Sequence, residues 1–190
     1  MKLKLVTAAV LLAVSSAGFA QSSATLTLQD RKLDSNGQSV SVTQLSVRTK
    51  LFSDVDGDIG INQAKNDTTN SITVRKELGL SSGYEVTDFA KVTLRAATGI
   101  KDVSGKEGIY YYSVEPGLNL KTPVDGLTAR VAYRYRNAYD NANLDELETM
   151  RYSLSYNLTK KDRITLQYDN AFSGNSPTYK QTGIAYTRSF

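Results

Sequence analysis

Residues 127–136 read LTARVAYRYR, and the two faces of this stretch decide the fold. Leu127, Ala129, Val131, Tyr133 and Tyr135 fall on one side of an extended chain. Thr128, Arg130, Ala132, Arg134 and Arg136 fall on the other. Successive side chains of a strand point to opposite faces, so this is a strand with one apolar, aromatic face and one basic face. The same period continues towards the C-terminus. In 147–158, Met150, Tyr152, Leu154, Tyr156 and Leu158 alternate with Thr149, Arg151, Ser153, Ser155 and Asn157. In 163–172, Ile164, Leu166, Tyr168, Asn170 and Phe172 alternate with Arg163, Thr165, Gln167, Asp169 and Ala171.

Read in both directions from there, the period predicts ten strands: 25–33, 39–52, 58–66, 72–86, 90–101, 108–120, 127–138, 146–159, 163–172 and 178–190. Helical spacing is confined to Asn143–Met150, two turns at most. The phase slips inside 39–52, where Val40 and Val42 are even and Leu45, Val47 and Leu51 are odd. A bulge near Thr43–Gln44 is the expected cause. A second bulge is expected at Pro116, which has no N–H for a ladder. The connections alternate in kind. Ser53–Gly57, Thr87–Phe89, Lys121–Gly126 and Thr159–Asp162 are short. Asp34–Gln38, Asn66–Ser71, Lys101–Glu107, Tyr139–Asp145 and Ser173–Pro177 are polar loops rich in turn-forming residues. Ten strands with nine connections bring both ends of the chain to one side.

Soluble sandwiches and membrane barrels share this period, and the composition of the two faces separates them. Here the polar face carries Ser, Thr, Gly and Ala beside Arg, as a crowded lumen requires. The apolar face carries aromatics towards both strand ends: Tyr110, Tyr112, Tyr135, Tyr152 and Phe172 on the loop side, and Phe52, Tyr84, Tyr186 and Phe190 on the turn side. Two girdles suit two membrane interfaces. The predicted fold is therefore all-β, an antiparallel up-and-down transmembrane β-barrel, with eight or twelve strands as alternatives to ten.

The N-terminus reads as an address. Lys2 and Lys4 precede an apolar run from Val6 to Val14, followed by small residues ending at Ala20. This is the build of a cleaved secretory signal peptide, residues 1–20, and nine residues are too few to span a bilayer as a helix. Residues 21–190 then form a single barrel domain. Losing Lys2 and Lys4 takes the net charge from +4 to +2. The basicity of the whole chain thus gives little reason to expect a nucleic-acid partner, and export gives less.

The terminal strand carries a resemblance. With Ile184, Tyr186 and Phe190 on its outward face, it looks like the assembly signal of Gram-negative outer-membrane β-barrel proteins, although Arg188 stands where that family usually has an apolar or aromatic residue. The resemblance implies an outer-membrane location, contact with outer-membrane lipid and recognition by the barrel insertion machinery. Within that class, IYYYSVEPGLNLKTPVDGLTARVAYRYRNAYDN and MRYSLSYNLTKKDRITLQYDNAF resemble the oligogalacturonate-specific porin family. Those porins are monomers of twelve strands whose lumenal arginines guide acidic sugars. By that likeness a monomer is expected, with anionic solutes or oligosaccharides as partners.

Composition narrows the chemistry further. The chain has no His and no Cys. This removes Ser-His-Asp catalysis, thiol nucleophiles, disulfides and most transition-metal sites. Asp54, Asp56 and Asp58 resemble the start of a calcium loop, but its twelfth position is Lys65 where Glu is required. No enzyme, metal or cofactor is expected. The inward phases gather Arg31, Arg48, Lys50, Arg75, Lys91, Arg95, Arg130, Arg134, Arg136, Arg151 and Arg163, against Glu77, Glu85, Glu115 and Asp169. Acidic residues collect elsewhere, in Asp54, Asp56, Asp58, Asp140, Asp145, Glu146 and Glu148. Arg48, Arg75, Arg95, Arg130, Arg134, Arg136, Arg151 and Arg163 are the candidate solute-path residues. Two readings follow: a small porin-like channel with an anion-attracting lumen, or a non-conducting barrel with a structural or loop-mediated role, its interior filled by ion pairs.

Overall fold

The structure, a computed structural model, describes residues 21–104, 108–140 and 145–190. The predicted signal peptide lies outside the described residues, as do Asn143 and the tips of two of the loops. Ten strands follow one another: β1 Ser22–Leu33, β2 Ser39–Phe52, β3 Val55–Asn66, β4 Ile72–Thr87, β5 Ala90–Val103, β6 Ile109–Lys121, β7 Leu127–Ala138, β8 Leu147–Asn157, β9 Asp162–Ser173 and β10 Ser176–Ser189. Each pairs antiparallel with the next, and β10 returns to β1, closing the barrel. The seam runs in one register from Ser23 opposite Ser189 to Leu33 opposite Tyr179. Closure satisfies every strand edge, which hydrocarbon demands because it offers no partner to an open N–H or C=O. At 11 to 16 residues, every strand is long enough to cross a bilayer, which takes about 9–11 residues when tilted.

The outer wall is apolar. Leu78 is 62% exposed, Leu94 54% and Leu166 56%, with Ile59, Leu80, Val92, Leu154 and Ile184 between them. An apolar surface continuous around the molecule is far more than a water-soluble monomer shows, and it matches a lipid-facing wall. Exposed aromatics rim it, with Tyr110 and Tyr139 towards the loops and Phe52, Tyr84 and Phe89 towards the turns. Tyr112 packs on Tyr139 and Tyr135, with ring centroids at 5.4 and 6.3 Å.

Two expected bulges are absent. β2 keeps one register through Thr43 and Gln44 against both neighbours. The phase slip has a different cause: Val40 and Val42 lie on the same face as Gln44, Ser46 and Arg48, and they point into the barrel, where they are buried. At Pro116 the β6–β7 ladder is interrupted, yet Val114–Tyr135 and Gly117–Ala132 lie on one register. Pro116 still sits opposite Leu94 of β5. Its missing N–H therefore costs ladder bonds to β7 without adding a residue. The bulges that do form lie between Lys50 and Phe52, between Glu85 and Thr87, and between Pro177 and Tyr179, each beside a connection.

Candidate functional site: the charged lumen

All eight candidate arginines line the interior. Their strands bring them there by parity alone, and the tiers they form follow from where each falls along its strand.

The middle tier is a belt of ion pairs. Arg95 on β5 reaches Asp58 and Glu77, at 2.5 and 2.7 Å. Arg134 on β7 shares Glu77, which also accepts the Tyr111 hydroxyl at 3.0 Å. Glu115 on β6 accepts from Arg130 at 2.9 Å and from Arg151 at 2.7 Å. Arg151 extends to Asp169 at 3.4 Å, and Asp169 also takes Gln181 at 3.2 Å. Four guanidinium groups thus meet four carboxylates, and the belt is neutral. Charges leaving water need such partners, since an uncompensated one costs several kcal/mol. Inward glycines make the space: a Cβ on Gly79 would lie 2.6 Å from Arg95 Nη2, and one on Gly117 2.8 Å from Arg130 Nη2.

Below the belt, on the turn side, Arg48, Lys50, Lys91 and Arg163 line a cavity of about 510 Å³ with Asp54 and Asp56. Arg163 donates to Asn157 at 2.9 Å and, among the described residues, to no carboxylate. Above the belt, Arg31 donates to Gln181 at 2.8 Å and covers the Tyr179 ring at 4.1 Å. Arg136 pairs with Asp145 at 2.8 Å, and Lys101 reaches the same carboxylate at 2.5 Å. Arg75 Nε is buried and finds no hydrogen-bond partner. A second cavity, about 320 Å³, runs beside this tier and touches Arg31, Arg48, Arg75, Arg136 and Arg163.

Four acids were assigned to the wrong place by sequence: Asp54 and Asp56, which line the turn-side cavity, and Asp58 and Asp145. Asp58 points inward because β3 begins at Val55 and carries the parity of Gly60 and Asn62 back to it. Asp145 reaches in from the rim ahead of β8. Burial alone would raise its carboxyl, but the charge of Arg136 and a hydrogen bond from Lys101 outweigh that and hold it below its ordinary 3.8. An apolar cluster was also missed. Val40, Val42 and Ala64 form one group, Leu147, Ala171 and Tyr179 another, and Leu33 packs on both. These residues sit at the loop-side end of six strands, and their burial places them inside the barrel, because the outer wall is exposed. Extending the inward parity of β2, β8 and β9 to their loop-side ends would have revealed them; Asp145, on a loop, left no periodic signal.

Of the assembly residues, Ile184 and Tyr186 face outward, 48% and 42% exposed. The Phe190 N–H donates to the Ser22 carbonyl at 2.9 Å, tying the last residue to the start of β1. Arg188, the departure from the family pattern, stands near Asp162 at 3.4 Å, and Asp162 also takes the Tyr186 hydroxyl.

Fold and lumen together define an outer-membrane-type β-barrel with a charged interior. The comparisons agree on the architecture. No family model matches the chain, and no curated relative does. An outer membrane channel from Pseudomonas putida is similar over 92% of this chain and 97% of that one, at 10% identity and a TM-score of 0.58. The NanC porin is similar over 87% of this chain and 100% of that one, at 11% identity and a TM-score of 0.51. The KdgM porin in complex with disordered oligogalacturonate covers 85% and 98%, at 16% identity and a TM-score of 0.48, too distant to carry argument. At these identities the likeness is one of fold.

Proposed function

We propose that this protein is a small channel of the outer membrane, delivered there by its leader and inserted by way of its terminal strand, that passes anionic or small polar solutes. One observation carries the reading: cations in excess of carboxylates line the cavities on both sides of a neutral belt. A low-dielectric wall focuses such charge, so an anion meets attraction at either mouth. Arg48 and Arg163 serve the turn-side approach, and Arg75 and Arg136 the loop-side approach. Arg95, Arg130, Arg134 and Arg151 set the passage between them. Guanidinium groups suit carboxylates, so acidic sugars are the solute class that best fits the lining.

The test is single-channel recording of the refolded barrel across a salt gradient. A small conductance is expected, with a reversal potential on the anion side. Changing Arg48 and Arg163 together to Gln moves that potential towards zero while the barrel still folds. A conducting protein without anion preference overturns the proposal. The belt and the apolar cluster favour a second reading, a non-conducting barrel with a structural or loop-mediated role, and silence in the bilayer would select it.

A further inference from the structure

We propose that the loop-side tier is a discrete binding site for one small oxyanion, held among Arg31, Arg75 and Arg136. The site goes beyond the channel reading, since binding there requires no conduction. These three residues come from β1, β4 and β7, three strands apart in turn around a barrel of ten, so their side chains converge across the lumen from different walls. All three line the same cavity. Arg75 lies within electrostatic reach of both other arginines and of Asp145.

The charges do not balance. With Lys101, four cations share one carboxylate among the described residues, Asp145, which is already taken by Arg136 and Lys101. The nearby acids Glu77 and Asp169 are committed to Arg95, Arg134 and Arg151 in the belt. Among the described residues, Arg31 has an amide oxygen and the Tyr179 ring as partners and no carboxylate. Arg75 Nε is buried and makes no hydrogen bond, whereas Arg136 Nε is spent on Asp145. Buried N–H groups of a cation are costly to leave open, and a guanidinium fork matches the oxygens of a carboxylate, sulfate or phosphate. One such anion supplies both the missing acceptors and the missing charge. The opposite design is visible in the belt, where each guanidinium already has its carboxylate.

Calorimetric titration of the full barrel in detergent with sodium sulfate is the direct test, with chloride at matched ionic strength as reference. One saturable sulfate per barrel is expected, along with a rise in unfolding temperature that chloride does not reproduce; phosphate and acetate then rank the oxyanion classes. Arg75→Gln should weaken sulfate binding by about tenfold or more, the worth of a charged hydrogen bond. Lys180→Gln, which removes the same charge at a similar height from the outer wall, should leave binding unchanged. Arg75→Gln should also unfold no earlier than the wild type in the absence of oxyanion, because it relieves an uncompensated cation. Absence of saturable heat, equal stabilisation by chloride, or undiminished binding by Arg75→Gln would each overturn the site. The wild-type titration decides the question even if the variant does not fold. Loss of the site with anion selectivity intact leaves the channel reading standing, and a silent channel leaves the site standing.

Discussion

Glu115 holds two guanidinium groups at once, Arg130 at 2.9 Å and Arg151 at 2.7 Å, and is itself 6% exposed. Glu115→Gln keeps the shape and removes the charge, leaving both arginines facing a neutral amide. Breaking a buried pair in this way costs on the order of 3 kcal/mol. The variant should lose its folded band on unboiled electrophoresis at a lower temperature than the wild type; an unchanged transition would mean the belt adds nothing to stability. Asp145 makes a different prediction because it titrates. Its folded value lies below the ordinary 3.8, held there by Arg136 and Lys101 against the effect of burial. The unfolded chain takes up the proton first as pH falls. The stabilisation is therefore complete above about pH 3.8 and disappears as pH drops from there through the folded value. Asp145→Asn should be less stable than the wild type at neutral pH, and the gap should close below pH 3.8 in thermal melts. A gap constant down to pH 2 would show that the carboxylate is not the stabilising group.

At the scale of strands, closure is the decisive event. β10 pairs with β1 along its length, and Phe190 adds the last bond, to Ser22. Deleting Phe190 should lower the amount in the outer membrane several-fold, whereas Asn36→Ala, in the exposed loop between β1 and β2, should not. Equal amounts would mean that the terminal strand is not what insertion reads. The strands themselves were legible because period two survives wherever one face meets lipid and the other meets water. β2 and β7 were placed to the residue by it. It failed where that contrast fades. β3 begins at Val55, three residues before the predicted start, because Asp54, Asp56 and Gly57 look like a turn when only local composition is read. Val40 and Val42 suggested a bulge because an apolar side chain was assumed to face out. The sequence pattern shows which residues share a face; it cannot show that the inside of this barrel turns apolar at one end. The eight arginines were legible for the same reason as the strands. Their partners were legible only when they lay well inside a periodic segment, which admits Glu77, Glu115 and Asp169 and leaves out Asp58, at the predicted edge of β3, and Asp145.

For the molecule as a whole, the question is how a ten-stranded wall fills its interior. Eight-stranded barrels fill with side chains and sixteen-stranded ones leave a channel, so ten strands leave little room. Here two unlike fillings occupy different heights. The belt is charged and neutral in sum, and it borders cavities rather than replacing them. The apolar cluster is tightly packed: Val42 is 2% exposed and Ala171 0%, and an ion held there would lose its hydration. The cavity narrows past this cluster, where Leu147 and Tyr179 border it beside Arg31, Arg75 and Arg136. This gives the cluster a measurable role as an occluding wall. Changing Val40 and Val42 together to Ala removes four methyl groups from that wall at a cost on the order of 2 kcal/mol. The widened barrel should show a larger single-channel conductance than the wild type, with its anion preference reduced, because ions gain a route that the arginines do not line. Larger conductance with unaltered selectivity would place the constriction at the belt. Unaltered conductance in a folded variant would show that the cluster lies off the path and serves packing alone.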